Sequence, residues 1–127
     1  IIIHLRPTQP CRKIDDINKC LKLFIKNRDK FDSLRTVIPI EKSPYKMYNI
    51  KNNMLIPLFN DINGIKEPFN QARQLLPQCY LHNGYIDILN ESILKDKTIS
   101  GNRIYQYTMN KEDTIDIDTL DDWKKAY

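Results

Sequence analysis

The segment Thr114-Ile115-Asp116-Ile117-Asp118-Thr119 sets two carboxylates two residues apart between isoleucines. In a strand, residues i and i+2 point to one face. Asp116 and Asp118 would then converge while Ile115 and Ile117 anchor the opposite face. Two converging carboxylates repel unless a cation or basic group lies between them. Mg²⁺ takes one or two carboxylates and completes its shell with water and phosphate oxygens. The competing reading makes Asp118 a helix N-cap and Asp116 a surface acid, which is the commoner outcome for such a hexapeptide taken alone.

Three other segments carry groups suited to binding anions or sugars. Arg6-Pro7-Thr8-Gln9-Pro10-Cys11-Arg12 is a polar loop directly after an apolar run. Open α/β sheets bind ligands at the carboxyl ends of their strands, where this loop would lie. It could equally be an ordinary proline-stiffened connection. Lys46, in Pro44-Tyr45-Lys46-Met47, and Arg73-Gln74, in Arg73-Gln74-Leu75-Leu76-Pro77-Gln78, supply cations and an amide that would otherwise be solvated. Asn83-Gly84 is most simply a turn.

These residues need a scaffold. Ile1-Ile2-Ile3-His4-Leu5 reads as a strand buried on both faces. Asp15 or Asp16 can cap a following helix, whose stripe of Ile17, Cys20, Leu21, Phe24 and Ile25 has helical spacing. Thr36 to Ile40 is the next strand, with Pro39 pushing it to an edge or an early end. Strand, helix and strand in this order suggest a right-handed parallel crossover. Tyr45 to Ile50 and Met54 to Ile56 form a hairpin around Lys51-Asn52-Asn53. Residues 57 to 72 show no period and read as a long loop with a function or a partner. Strands are expected at Gln78–Leu81 and Tyr85–Leu89, around the Asn83-Gly84 turn. A short helix over Glu91–Lys95, strands over Arg103–Met109 and Ile115–Asp118, and a helix capped by Thr119 or Asp118 complete the chain.

Composition narrows the classes. The 127 residues fit one domain or a large piece of one, and 41% hydrophobic residues permit a core. Twenty Lys and Arg against sixteen Asp and Glu leave a net charge of +4. The basic residues are spread along the chain without a block, which suits a small anionic ligand and argues against nucleic acid. Cys11, Cys20 and Cys79 form no CxxC, so reduced thiols in a cytoplasmic setting are expected. No apolar run approaches the roughly 18 to 20 residues of a membrane span. A chain that opens inside a core-strand pattern is expected to lack an N-terminal portion.

Taken in order, the four segments resemble the acylneuraminate cytidylyltransferase family, the CMP-sialic acid synthetases and their relatives. Residues 6–12 are similar to that family's QPTSPLR loop, Pro44-Tyr45-Lys46 to its HP-x-K segment, Arg73 to Gln78 with Asn83-Gly84 to RQ-x-LP and a PNG turn, and residues 115–119 to IDIDT. The resemblance implies a Rossmann-like α/β nucleotide-diphospho-sugar transferase fold, incomplete because the N-terminal part of the sheet is missing. It implies a single domain over residues 1–127, with a dimerisation arm around 45–78, and a homodimer. The implied reaction transfers CMP from CTP to a 2-keto sugar acid and releases pyrophosphate. Asp116 and Asp118 would hold Mg²⁺. Lys46 and Arg73 would meet anionic groups. Arg6, Thr8, Arg12, Gln74, Asn83 and Gly84 would bind substrate.

Three departures from the family pattern bear on this. Arg6 stands where the sialic-acid enzymes have Gln, so the acid recognised can differ. Thr98-Ile99-Ser100-Gly101 lies where the family carries an aromatic pair. The N-terminal strand and basic Ser-Lys loop that bind the CTP triphosphate are absent, so the 127 residues alone are expected to be inactive and marginally stable. A related nucleotide-sugar pyrophosphorylase and a non-catalytic binding or dimerisation module are the alternatives.

Overall fold

Apolar residues at positions 17, 20, 21 and 24 drive the first helix, α1, which runs Ile14–Lys26. Cys20 and Phe24 are buried in the core, with Ile17, Leu21 and Leu23 packed against it. Burying a side chain the size of Phe24 contributes about 1.5–3 kcal/mol. Ile25, read from the sequence as part of the stripe, lies outside it and is 54% exposed. The N-cap is Lys13, without a side-chain cap bond. Asp15 and Asp16 sit inside the first turn, where the helix dipole favours acids, and so do not cap. Burial is the main cause that pushes the Cys20 thiol up to about 12. A maleimide at about pH 8 should therefore label exposed Cys11 and spare Cys20 until the chain unfolds. Equal labelling of both in the folded protein would contradict that packing.

The computed structural model describes residues 1–126. Its main sheet contains β1 (Ile2–His4), β2 (Ser33–Pro39), β7 (Tyr80–Leu89) and β8 (Ile104–Thr108), in the spatial order β1-β7-β2-β8. β1 pairs antiparallel with β7, and β2 pairs parallel with β8. The sheet is mixed and the architecture is α/β. Leu34, Ile38, Ile86 and Ile88 meet Cys20 and Phe24 of α1 to form the core.

Several expectations change here. β1 is not buried on both faces: Ile1, Ile2 and Ile3 are 37–39% exposed and Leu5 is 42% exposed. It is a three-residue edge strand with one neighbour, so its apolar side chains find few partners. β1 and β2 are not adjacent, because β7 lies between them. β2 is internal, and Pro39 is its last residue. Pro39 ends the strand where its missing N–H does least harm. β7 runs straight through Asn83-Gly84, so that pair is not a hairpin turn. Residues 114–117 form no strand, and the last helix, α2, spans Leu120–Ala126.

A loop between Thr98 and Arg103 is fastened to the start of β2. The Asp32 carboxylate accepts hydrogen bonds from Asn102 N (3.0 Å), Arg103 N (2.9 Å) and the Arg103 guanidinium (2.7 Å to Nη2). Gly101 has φ +66°, and a Cβ there would lie 2.5 Å from the Asp32 Cβ, so only glycine fits. The Arg103 guanidinium is the main cause that holds Asp32 at about 2. A carboxyl held below its unfolded value of about 3.9 stabilises the fold above that pH. That contribution fades as pH falls through about 2. Asp32→Asn should remove it, so the melting temperature of the variant should fall less than wild type between about pH 5 and pH 2. Identical acid dependence would show that the pair contributes nothing.

Residues Pro39–Tyr80 cluster as a second compact unit, separate from Ile1–Ile38 with Leu81 onward. Within it, β3 (Tyr48–Lys51) and β4 (Met54–Pro57) form a hairpin in the register Lys51↔Met54. Asn52 and Asn53 both take positive φ (52° and 62°), as a two-residue primed turn demands. The stretch read as a structureless loop contains another hairpin, β5 (Asp61–Ile62) with β6 (Ile65–Lys66), around Asn63-Gly64. The Asp61 carboxylate accepts Gly64 N at 2.9 Å. Asn-Gly was the available signal, hidden because each strand has two residues. Tyr45–Phe59 and Tyr48–Phe69 ring pairs, 5.2 and 5.6 Å apart, hold the unit together.

Candidate functional site

The loop at residues 6–12 is built around Arg12. Its Nε donates to Tyr85 O (2.5 Å), its Nη2 to Arg6 O (2.7 Å) and its Nη1 to Gln9 O. Its guanidinium also lies over the Tyr85 ring, 5.8 Å from the centroid. Burial lowers the Arg12 pKa from its usual value, although arginine stays charged at neutral pH. Arg12 thus pins the loop to β7 through main-chain oxygens. Gln9 is buried, and its Nε2 donates to Asn83 O at 2.9 Å. The Thr8 side chain is exposed, while its carbonyl accepts Ile117 N at 2.8 Å. That one bond draws the acidic segment to the loop.

Asp116 and Asp118 are exposed, while Ile115 and Ile117 are half-buried. The alternation expected of a strand is kept, but the segment has no strand partner and is held by Thr8 instead. The cap of α2 is Thr119. Its Oγ1 accepts Asp122 N (3.2 Å), and the Asp122 carboxylate accepts Thr119 N (3.1 Å) and Oγ1 (2.7 Å). This is a reciprocal capping box with Asp at the third helical position. Asp118 is therefore not the cap. Among the described residues, no ion pair involves Asp116 or Asp118. Two free, solvent-facing carboxylates suit a hard cation that keeps most of its shell for water and phosphate. No group of three or more His, Cys, Asp or Glu positioned to cage a metal occurs among the described residues.

Asn83 and Gly84 sit where the loop meets β7. Asn83 is 8% exposed. Its Oδ1 accepts from Thr36 Oγ1 (2.7 Å) and Tyr85 N (3.2 Å). Its side chain is engaged inside the protein. Gly84 has φ +67°, and a Cβ there would come within 2.8 Å of the Arg6 guanidinium. Gly84 lets Arg6 lie flat against the strand.

The structure thus brings Arg6, Thr8, Arg12, Asn83, Gly84, Asp116 and Asp118 into one unit. Lys46, Arg73 and Gln74 belong to the other. There, Lys46 Nζ donates to Gln71 O at 2.6 Å. Arg73 and Gln74 occupy a short 3₁₀ turn, Arg73–Leu75, and Arg73 lines a small cavity of about 30 Å³ with Ser43 and Gln78.

The chain is 29% identical over 122 residues, 95% of its length, to N-acylneuraminate cytidylyltransferases from Streptococcus agalactiae strains of serotypes V, III and Ia. The similarity is to the N-acylneuraminate cytidylyltransferases. The chain spans 28% of the length of these relatives. No protein-family model matches it. The resemblance read from the four motifs is borne out. One further group in the same unit lies outside the four motifs. Asp87 is 3% exposed and lies among His4, Arg6, Arg35 and His82. The signal was present: Asp87 interrupts the apolar run Tyr85-Ile86-Asp87-Ile88-Leu89, and a charge in a buried strand requires partners.

Proposed function

We propose that the protein carrying this chain is a cytidylyltransferase that transfers CMP from CTP to a 2-keto sugar acid and releases pyrophosphate. The observation that carries this reading is the similarity to N-acylneuraminate cytidylyltransferases along 95% of the chain. The free Asp116–Asp118 pair beside the Arg6–Arg12 loop supports it. In this reading the α/β unit is part of a Rossmann-like nucleotidyltransferase domain.

The chemistry follows from the residue types. The anomeric hydroxyl of the acid attacks the α-phosphorus of CTP, a P–O bond forms, and the bond to pyrophosphate breaks. The hydroxyl proton leaves to solvent or to a carboxylate. Negative charge grows on the phosphate oxygens, and fixed cations stabilise it. Asp116 and Asp118 would hold Mg²⁺, which when bound supplies Lewis-acid stabilisation of that charge. Lys46 and Arg73 supply cationic side chains for anionic groups. Arg6 and Thr8 present a guanidinium and a hydroxyl at the loop surface. Asn83 and Gly84 back the loop from within, where Asn83 O accepts Gln9 Nε2 and Gly84 leaves room for Arg6. No covalent intermediate on the protein is needed.

The second unit is assigned the subunit contact of a homodimer. Ile50, Met54 and Leu55 of its first hairpin are 77%, 61% and 66% exposed, an apolar surface that suits a partner. The three free cysteines suit a reducing, cytoplasmic setting. The intact protein, given CTP, Mg²⁺ and a panel of nonulosonic and 3-deoxy sugar acids, should release pyrophosphate with at least one of them. Absence of release across the panel would remove this function. Release with a sugar 1-phosphate in place of an acid would reassign the protein as a nucleotide-sugar pyrophosphorylase.

A further inference from the structure

Three neighbouring strands place charged groups on the sheet face opposite Leu34, Ile86 and Ile88. His4 of β1 is the register partner of Asp87 of β7, and Arg35 comes from β2. Arg6 follows β1, and His82 lies five residues before Asp87. The Asp87 carboxylate is 2.8 Å from His82 Nε2, 3.6 Å from Arg35 Nε, 3.6 Å from His4 Nδ1 and 3.9 Å from Arg6 Nη2. Only the first of these is a hydrogen bond. His82 Nδ1 in turn faces Arg6 Nη2 at 3.5 Å. Two buried polar atoms at the centre, Asp87 Oδ2 and Arg35 Nε, have no hydrogen-bond partner.

The balance of charge is unequal. Two guanidiniums oppose one carboxylate, leaving a surplus positive charge even with both imidazoles neutral. The carboxylate is closed off, with a side chain 4% exposed, while the His4 and Arg6 side chains are 49% and 40% exposed. A ligand reaching the cluster from solvent therefore meets cations and does not meet Asp87. Arg6 and Arg35 sit beyond hydrogen-bond distance of Asp87, so their planar forks keep donors for another anion, and forks of this kind fit carboxylates in pairs.

We infer that Arg6 and Arg35, flanked by His4, form a carboxylate-receiving site, and that Asp87 with His82 is its buried counter-charge, holding the cations together in the unliganded protein. The inference rests on the proposed reading of the substrate as a sugar acid and names the residues that take its acid group. Four cationic or ionisable groups would spread apart without an anion among them, and Asp87 keeps them convergent. The Thr8–Ile117 bond ties the Arg6 loop to the segment that carries Asp116 and Asp118. An acid gripped here is held by the loop to which that carboxylate segment is tied.

The test uses the intact protein and saturation-transfer NMR with N-acetylneuraminate, its methyl ester and inorganic phosphate as probes. The free acid should bind about tenfold more tightly than the ester. Arg35→Gln should weaken the acid about tenfold, and leave the ester and CTP unchanged. Asp87→Asn should weaken the acid and leave the ester and CTP unchanged, because the cations lose the anion that keeps them convergent, a selectivity that a purely structural ion cluster does not give. Equal binding of acid and ester, no effect of Arg35→Gln, or displacement of the acid by equimolar phosphate would each overturn the site. Arg35-dependent binding of the acid without pyrophosphate release would leave the site standing and remove the proposed reaction. Turnover of the acid unaffected by Arg35→Gln would do the reverse.

Discussion

Asp116→Asn and Asp118→Asn, each made in the intact protein, are expected to lower pyrophosphate release by at least about 100-fold, since stabilising a developing phosphate charge is worth several kcal/mol. The melting temperature should hardly move. Both side chains are exposed and neither caps α2, and surface changes of this kind usually stay within about 0.5 kcal/mol. Thr119→Ala is the matched control, because it removes the capping bond and should cost about 1 kcal/mol with little effect on rate. A variant of Asp116 or Asp118 that keeps full activity would remove that residue from the reaction. One that melts much earlier would assign it to the fold.

Asn83→Ala is expected to act in the opposite way, through stability first. The substitution strips three bonds from the core: the acceptor for Thr36 Oγ1, the acceptor for Tyr85 N and the weak Nδ2 bond to Met109 Sδ. Thr36 keeps a carbonyl acceptor in Ile86, at 3.2 Å, but the Tyr85 amide is left buried without one. Leaving a buried donor unpaired costs about 1–3 kcal/mol. In a domain of about 150–250 residues, about 2 kcal/mol corresponds to a fall of roughly 4–8 °C in melting temperature. Calorimetry of the intact protein checks it. If Asn83→Ala melts with wild type while the KM for the acid rises, Asn83 contacts substrate directly and the buried network carries no weight.

Asn83 shows where reading from the sequence stops. Asn-Gly between two apolar runs is a sound hairpin signature, and Asn63-Gly64 and Asn52-Asn53 do turn the chain at hairpins. At Asn83-Gly84 the strand continues, because the Asn side chain bonds to Thr36 of another strand and the Gly lies under Arg6. The dipeptide is the same. Its surroundings differ, and those come from residues distant in sequence. Asp118 makes the same point, since Thr119 beside it was an equal candidate for the cap and only the Asp122 geometry chose.

Local pattern was enough wherever a residue's partners lie within a few positions. α1 follows from its 3.6-residue stripe, β8 from its alternation and the β3–β4 hairpin from two asparagines that accept positive φ. The motifs on residues 6–12, 73–84 and 115–119 likewise pointed to a cytidylyltransferase relative before any packing was known. What the tertiary structure decided involves partners far along the chain. It made β1 an exposed edge, set β7 between β1 and β2, and gathered His4, Arg6, Arg35 and His82 about Asp87. Burial and ion pairing are properties of what folds back onto a residue, and neither the apolar run at Ile1–Ile3 nor the lone acid at Asp87 records its neighbours. The pair Asp116 and Asp118 belongs to both sides: its spacing is written in the chain, and its freedom from the helix cap is set by how α2 begins.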